Sequence, residues 1–369
     1  MNLHVLTRAL HRPYLERLSD ALAVGFAMSI PWSTAATSIL LGLWFLSYIC
    51  TFDPAALRRA IATPAGGVPV ALFGVALIGM LWADVAWAER FDGLKDFANL
   101  LAITLLISQF SSSPRGHWVL NGLLASIASL LVVSYFHWVW PDLLPFLPPW
   151  PPGVPVKDHL AQNTLFSVAA FIVLGLAARS LKMERRLHAA SLGLLAAAFL
   201  ANILLVGVGR TGLVAITVLL GVFCLRHANL KGAVAICIAG ALLAGLAWGA
   251  SSALRDRVVA AIDEMRNDRA LNENGSVSAR LEYWKTSVRM LSESPVIGHG
   301  TGSIEDSFRR AIEQGSSKLS QPINNPHNQT LSIALQLGAV GAALLLVMWA
   351  VHLLQFAGSS LIEWAGLVI

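Results

Sequence analysis

The sequence is poor in charge. Asp, Glu, Lys and Arg make up 13% of its 369 residues, about half the share in an ordinary soluble domain, and they are bunched between apolar runs. Cysteine is scarce too. Cys50, Cys224 and Cys237 all lie inside apolar runs with no Cys-x-x-Cys pair, which argues against disulfides and against a thiolate metal site. There is no Walker loop, zinc-ligand spacing, Gly-x-Ser-x-Gly element, Asp-x-Asp pair or internal repeat, so these familiar routes to hydrolysis and metal chemistry have no local signature. The net charge of +5 does not imply nucleic acid, because the basic residues stand at the edges of apolar runs, where the positive-inside rule puts them.

Apolar residues are plentiful, at 56% of the chain with a mean hydropathy of +0.65. Runs of about 20 apolar residues, enough to cross a bilayer, recur along most of the length. They are Leu/Ala-rich and do not alternate, which selects helices over a closed barrel. The expected fold is all-α: a polytopic transmembrane helix bundle of about 11–12 spans with one large, partly helical periplasmic loop. The spans fall near 19–31, 33–51, 68–83, 94–110, 118–140, 160–178, 187–206, 211–225, 232–250, 328–350 and 359–369. The first two read as spans or as half-spans meeting at Pro31, the first uncleaved rather than a signal peptide. The last is too short to cross, so it is either interfacial or continued by further chain.

Orientation follows from Lys and Arg. With the N-terminus inside, cytoplasmic segments hold Arg8, Arg12, Arg17, Arg58, Arg59, Arg115, Arg179, Lys182, Arg185, Arg186, Arg226 and Lys231, while the short outer segments hold Arg90, Lys95, Lys157 and Arg210. This divides the chain into transmembrane helices over 1–250, a periplasmic loop over 251–327 and C-terminal membrane segments over 328–369. The loop carries ten Lys/Arg and ten Asp/Glu, so it is nearly neutral. It reads as ordered: Leu281, Trp284, Val288 and Leu291 have helical spacing before Pro295, and Ser303 and Gly315 look like the start and stop of a second helix. A second outer segment, Pro141 to His159, is proline-rich and aromatic, and reads equally as a stiff connector or a substrate rim.

Three residues place charge or a titratable group where a membrane makes it costly. Arg210, in Gly207-Val208-Gly209-Arg210-Thr211-Gly212, sits between two apolar runs with almost no loop, and glycines there allow a ligand close approach; its bland alternative is an arginine snorkelling from a tight turn. Arg280 shares a helix face with Trp284 and matches phosphate oxygens with its planar fork; the alternative is an ion pair with Glu282 or another loop acid. His327 follows Asn325, a plausible N-cap, and Pro326, a plausible first helical residue. That puts it in the first turn of a helix, where the helix dipole favours neutral imidazole and a bound pyrophosphate pulls the other way; the alternative is a structural histidine. Arg90 and Lys95, and the group Asp158, His159, Gln162 and Asn163, are secondary candidates for substrate contact or interfacial anchoring.

The ordered set resembles the O-antigen ligase family. It consists of Gly207-Val208-Gly209-Arg210-Thr211-Gly212, then Ser278-Ala279-Arg280-Leu281-Glu282-Tyr283-Trp284, then Ser294-Pro295-Val296-Ile297-Gly298-His299-Gly300-Thr301-Gly302, then Pro326-His327-Asn328. The resemblance implies an enzyme of the bacterial inner membrane, active at its periplasmic face in lipopolysaccharide biosynthesis. Such an enzyme moves an O-antigen from undecaprenyl pyrophosphate to a sugar hydroxyl of lipid A-core. Direct displacement would invert the anomeric centre, and with no Asp-x-Asp or His/Cys ligand set in the sequence the expectation is guanidinium in place of a metal and no cofactor. Its partners are the lipid-linked donor, the lipid A-core acceptor and membrane lipids. The residues matching the functional ones are Arg210 and Arg280, for the pyrophosphate, and His327, for the acceptor's proton. Trp284, Arg90, Lys95, His159, Gln162 and Asn328 are expected at the substrate. An O-antigen polymerase or an O-oligosaccharyltransferase of the same superfamily would use the same chemistry. A lipid-linked-glycan flippase is the rival of another class, against which the missing two-fold repeat of interrupted spans counts.

Overall fold

The computed structural model describes residues 3–143, 151–207, 210–227, 276–358 and 360–369, together with scattered positions between 231 and 259; of residues 3–12, 210–211, 276–278 and 361 it describes the backbone alone. The expected span at 232–250, most of the loop's first part at 251–275, and the middle of the Pro141–His159 segment lie outside the described residues. The described residues form thirteen α-helices and no strand. Four of them, Gly116–Val139, His159–Lys182, Arg186–Leu205 and Gln329–Gln355, are long and apolar enough to cross a membrane. The chain is a multi-pass helical membrane protein. Fewer helices meet that test than the eleven apolar stretches suggest, because several stretches fold as helices of 16–18 residues and others merge with charged flanks. The chain divides into two compact units.

One unit comprises residues 1–52, 113–259 and 356–369. Its helices are α1 (Leu3–Ser29), α2 (Thr34–Cys50), α6 (Gly116–Val139), α7 (His159–Lys182), α8 (Arg186–Leu205), α9 (Arg210–His227) and α13 (Leu361–Val368). Helices α1 and α2 pack on each other, so they form a hairpin rather than two half-spans in series. Ser33 caps α2 by accepting from Ala36 N. The centre is α7, flanked by α6, α8, α9 and α13 and apolar on every side, as a helix surrounded by other helices must be. Phe166, Phe171, Phe199, Ile203 and Trp364 are all but fully buried around it. The short C-terminal helix α13 joins this core: Trp364 donates its indole N–H to the Phe171 carbonyl at 2.7 Å. At one end of α6, Asp20 is 3% exposed and is satisfied by Arg115 at 2.8 Å and Ser113 at 2.7 Å, as a buried carboxylate requires.

The other unit comprises residues 53–112 and 260–355. It holds α3 (Pro54–Ala62), α4 (Pro64–Gly79), α5 (Trp87–Phe110), α10 (Ser276–Glu293), α11 (Ile304–Glu313) and α12 (Gln329–Gln355). The segment around Arg58 and Arg59, which lies between two of the expected spans, is helix α3. Its signal was visible: Asp53 and Thr63 each precede a proline at N1 and cap α3 and α4, the pairing that starts helices. Leu72, Ala76, Phe97, Ile333, Leu337 and Leu345 bury the contacts of α4 and α5 with α12. Met290, Ile304, Phe308, Ala311 and Leu335 do the same for α10 and α11. The described part of the loop is therefore built onto membrane helices of its own unit. Ser303 stands at the start of α11 as expected, but its hydroxyl donates to the Gly300 carbonyl and does not cap the helix.

Helix α12 is broken at Gly338, whose φ of 62° and ψ of −156° are not helical. A break there frees backbone groups that hydrocarbon cannot satisfy. The segment 294–302 supplies the partners. His299 N and Gly300 N donate to the Leu335 and Gln336 carbonyls at 2.8 Å each, while Ala339 N and Val340 N donate to the Pro295 and Val296 carbonyls. Thr301 extends the seal to α4, donating from its backbone to Gly79 O and from its hydroxyl to Ala76 O. Gly300 has φ of 93°, and a Cβ there would stand 2.4 Å from Ala83 Cα, so glycine is required for the approach.

Candidate functional site

Arg280 and Trp284 lie one turn apart on α10 and are both exposed, so they share a face. The same turn holds His327. The Tyr283 and His327 rings face each other with centroids 6.0 Å apart and planes at 30°, and Trp284 donates its indole N–H to the Pro326 carbonyl at 3.1 Å. Tyr283 was not among the expected residues; its place one position before Trp284 was the available hint. Among the described residues the Arg280 guanidinium and the His327 ring nitrogens have no hydrogen-bond partner. Glu282, the expected ion-pair partner in the bland reading of Arg280, instead accepts from Lys318 N at 3.0 Å.

The backbone at His327 corrects the expected capping. Helix α12 starts at Gln329, and its N-cap is Asn328, whose side chain accepts from Leu331 N at 3.2 Å. Asn325 makes a local turn instead, accepting from His327 N at 2.8 Å. His327 has φ of 54°, a left-handed conformation that cannot continue into a helix, so it precedes the helix and projects outward as an exposed residue. His299, in contrast, is tied into the seal: its ring Nε2 lies 3.0 Å from the Met290 carbonyl.

Arg90 and Lys95 belong to the same unit and are engaged locally. Arg90 donates to the Val85 and Met80 carbonyls at 2.8 Å each and lies over the Trp87 ring at 4.6 Å, which ties the start of α5 to the end of α4. Lys95 pairs with Asp92 at 2.8 Å on an exposed face.

In the first unit, the Arg210 side chain lies outside the described residues; its backbone opens α9. Just before it, the turn ending α8 is held from inside by a buried polar network. Asn163 donates to the Gly207 carbonyl. Gln162 donates to Ser134 Oγ, Gly153 O and Asn202 Oδ1 at 3.0–3.2 Å, and Asn202 donates to Ser134 Oγ at 2.9 Å. Gln162 and Asn163 are each 1% exposed. Gln162, expected at the substrate, is thus placed inside the unit, where its amide braces the loop and the α8 end. His159 is exposed at the first position of α7, next to Asp158, whose carboxylate accepts from Ala161 N as the helix cap. Sequence gave no pointer to Ser134 or Asn202 beyond their being polar residues inside apolar runs.

No curated protein matches the chain. Residues 195–346 match the family model described as O-antigen ligase. Arg210, Arg280 and His327 all fall inside that stretch, which is similar to an O-antigen ligase domain.

Proposed function

We propose that the protein is an O-antigen ligase of the bacterial inner membrane, working at the periplasmic face. It would transfer a glycan from undecaprenyl pyrophosphate to a sugar hydroxyl of lipid A-core. The observation that carries this is the pairing of Tyr283 with His327 and of Trp284 with Pro326, which holds an exposed imidazole beside the turn of α10 that bears Arg280. A cation and a proton acceptor together suit a substrate with an anionic leaving group and a hydroxyl nucleophile.

In the proposed reaction the acceptor oxygen attacks the anomeric carbon from the face opposite the phosphate. The bond from that carbon to the phosphate oxygen breaks, and the configuration inverts. His327 takes the hydroxyl proton. Undecaprenyl pyrophosphate leaves with the extra negative charge, which Arg280 stabilises by hydrogen bonds to its oxygens. The resemblance assigns Arg210 to the same leaving group. Guanidinium would fill the part a divalent cation plays in other glycosyltransferases. Trp284, bonded to the Pro326 carbonyl, and Asn328, next to His327 in the chain, are the proposed neighbours of the acceptor.

The test uses purified protein in liposomes with a lipid-linked glycan and lipid A-core, EDTA present and no energy source. Glycan joined to lipid A-core is the expected product. Elongated glycan still on undecaprenyl pyrophosphate would make the protein a polymerase, and glycan moved across the bilayer without transfer would make it a flippase. Activity lost in EDTA and restored by Mg²⁺ or Mn²⁺ would overturn the arginine-based mechanism.

Substituting lysine separates charge from shape. Arg280→Lys and Arg210→Lys should each insert normally and lose about ten- to a hundredfold in kcat/KM, the value of a charge-assisted hydrogen bond. Near-normal rates for both would mean that the arginines act as general positive charge.

A further inference from the structure

The amphipathic face of α10 is turned the unexpected way. Among its described side chains the buried ones are Thr286, Ser287 and Met290, each at most 4% exposed, while Leu281, Trp284 and Val288 are 47%, 37% and 58% exposed. Lys285 is exposed alongside them. An apolar stripe with an indole and flanking cations, facing out, is the pattern of a helix lying in a membrane interface. A helix in water would bury those residues and expose the threonine and serine.

Where α10 ends, the chain runs into the turn Pro295–Val296–Ile297, and Val296 and Ile297 are 60% and 49% exposed. Two features of the same unit set the height of this turn. Beyond the break at Gly338, residues 339–355 form an apolar helix about 25 Å long at 1.5 Å per residue, close to the hydrocarbon thickness of about 30 Å. The turn is hydrogen-bonded to the first two residues of that helix, Ala339 and Val340, and Val340 is itself exposed. Helix α4 is also apolar and of similar length, and it ends at Gly79, the carbonyl to which Thr301 donates. Two apolar helical segments of similar length thus end where the 294–302 segment crosses them. Leu81, just past that end of α4, is 73% exposed.

We infer that the Pro295–Ile297 turn is seated in the acyl region of the outer leaflet and that the outward face of α10 rests at the headgroup boundary beside it. The partner of this surface is the lipid bilayer. Exposed Val296 and Ile297 continue the lipid-facing surface of residues 339–355, and Trp284 and Lys285 supply the indole and ammonium that favour the interface. The inference does not depend on the transferase reading, and its test needs no activity.

The full chain would be reconstituted in phosphatidylethanolamine–phosphatidylglycerol vesicles after Cys50, Cys224 and Cys237 are replaced by alanine. Ile297→Cys and Val288→Cys would each carry a nitroxide, with Leu346→Cys in the apolar helix as the lipid reference and Glu313→Cys on α11 as the water reference. All four sites are exposed, so the labels leave the packing intact. Collision with oxygen and with a water-soluble nickel chelate reports depth. The Ile297 label should lose nickel accessibility as the Leu346 label does, and the Val288 label should fall between the two references. Nickel accessibility at either position equal to that at Glu313 overturns the inference. So does shielding from both reagents, which would mean that protein covers this face.

Discussion

Replacing His327 should abolish most turnover while leaving the protein folded and able to bind undecaprenyl pyrophosphate. A sugar hydroxyl is a weak nucleophile at neutral pH, and a positioned base contributes about 10²–10⁴-fold. The choice of replacement matters, because His327 has a left-handed backbone with φ of 54°. Alanine there adds a backbone cost of about 1–2 kcal/mol that has nothing to do with proton transfer. Asparagine tolerates this conformation and has no basic nitrogen. His327→Asn and His327→Ala should therefore lose kcat alike, with donor and acceptor saturating, and His327→Asn should keep wild-type thermal stability. His299→Ala should cost far less turnover, since its ring is bonded to the Met290 carbonyl. Normal turnover in His327→Asn would remove it as the base. Binding and turnover falling together would make it a donor ligand, and the hydroxyl proton would then leave by another route.

Gly338→Ala should strongly destabilise the second unit. Its φ of 62° and ψ of −156° lie in a region that only glycine occupies readily, at a cost of about 1–3 kcal/mol for other residues. The new methyl would also stand 2.2 Å from the Val296 carbonyl, so the 294–302 segment would have to withdraw. Withdrawal strands the Leu335 and Gln336 carbonyls and the Ala339 and Val340 N–H groups, each worth about 1–3 kcal/mol when buried without a partner. The expected result is a steep loss of monodisperse protein on extraction and a much lower melting temperature in detergent. Gly315→Ala is the control. Gly315 also has positive φ, at 68°, but a Cβ there meets nothing within 4 Å, so only the backbone cost remains, about 1–2 kcal/mol. Equal stability in the two variants would mean that the seal around Gly338 contributes nothing beyond local conformation.

Much of this was present in the amino-acid order. Low charge and long apolar runs fix a helical membrane protein, because backbone in hydrocarbon must bond to itself. The helices starting at residues 276 and 304, and the Gly315 stop, follow from spacing and end residues. Arg280 with Trp284, and the ordered series through His327, carried the family resemblance that the match over residues 195–346 then bore out.

Other features depend on which segment meets which, and periodicity carries no such information. Spacing says that Leu281, Trp284 and Val288 share a face; only packing says that α10 buries Thr286 and Met290 instead. Gly338 reads as an ordinary glycine in an apolar helix until the segment 294–302, some forty residues earlier in the chain, provides donors and acceptors for a break. Asn325 and Asn328 are equally good caps by residue type, and the left-handed turn at His327 decides between them. Gln162 looked like an outer polar residue near a helix start, and it is the buried brace of Ser134, Gly153 and Asn202. Local propensity and hydrophobic period are properties of the chain alone. Hydrogen-bond partners distant in sequence, and the side a helix turns to its neighbours, exist only once the chain has folded.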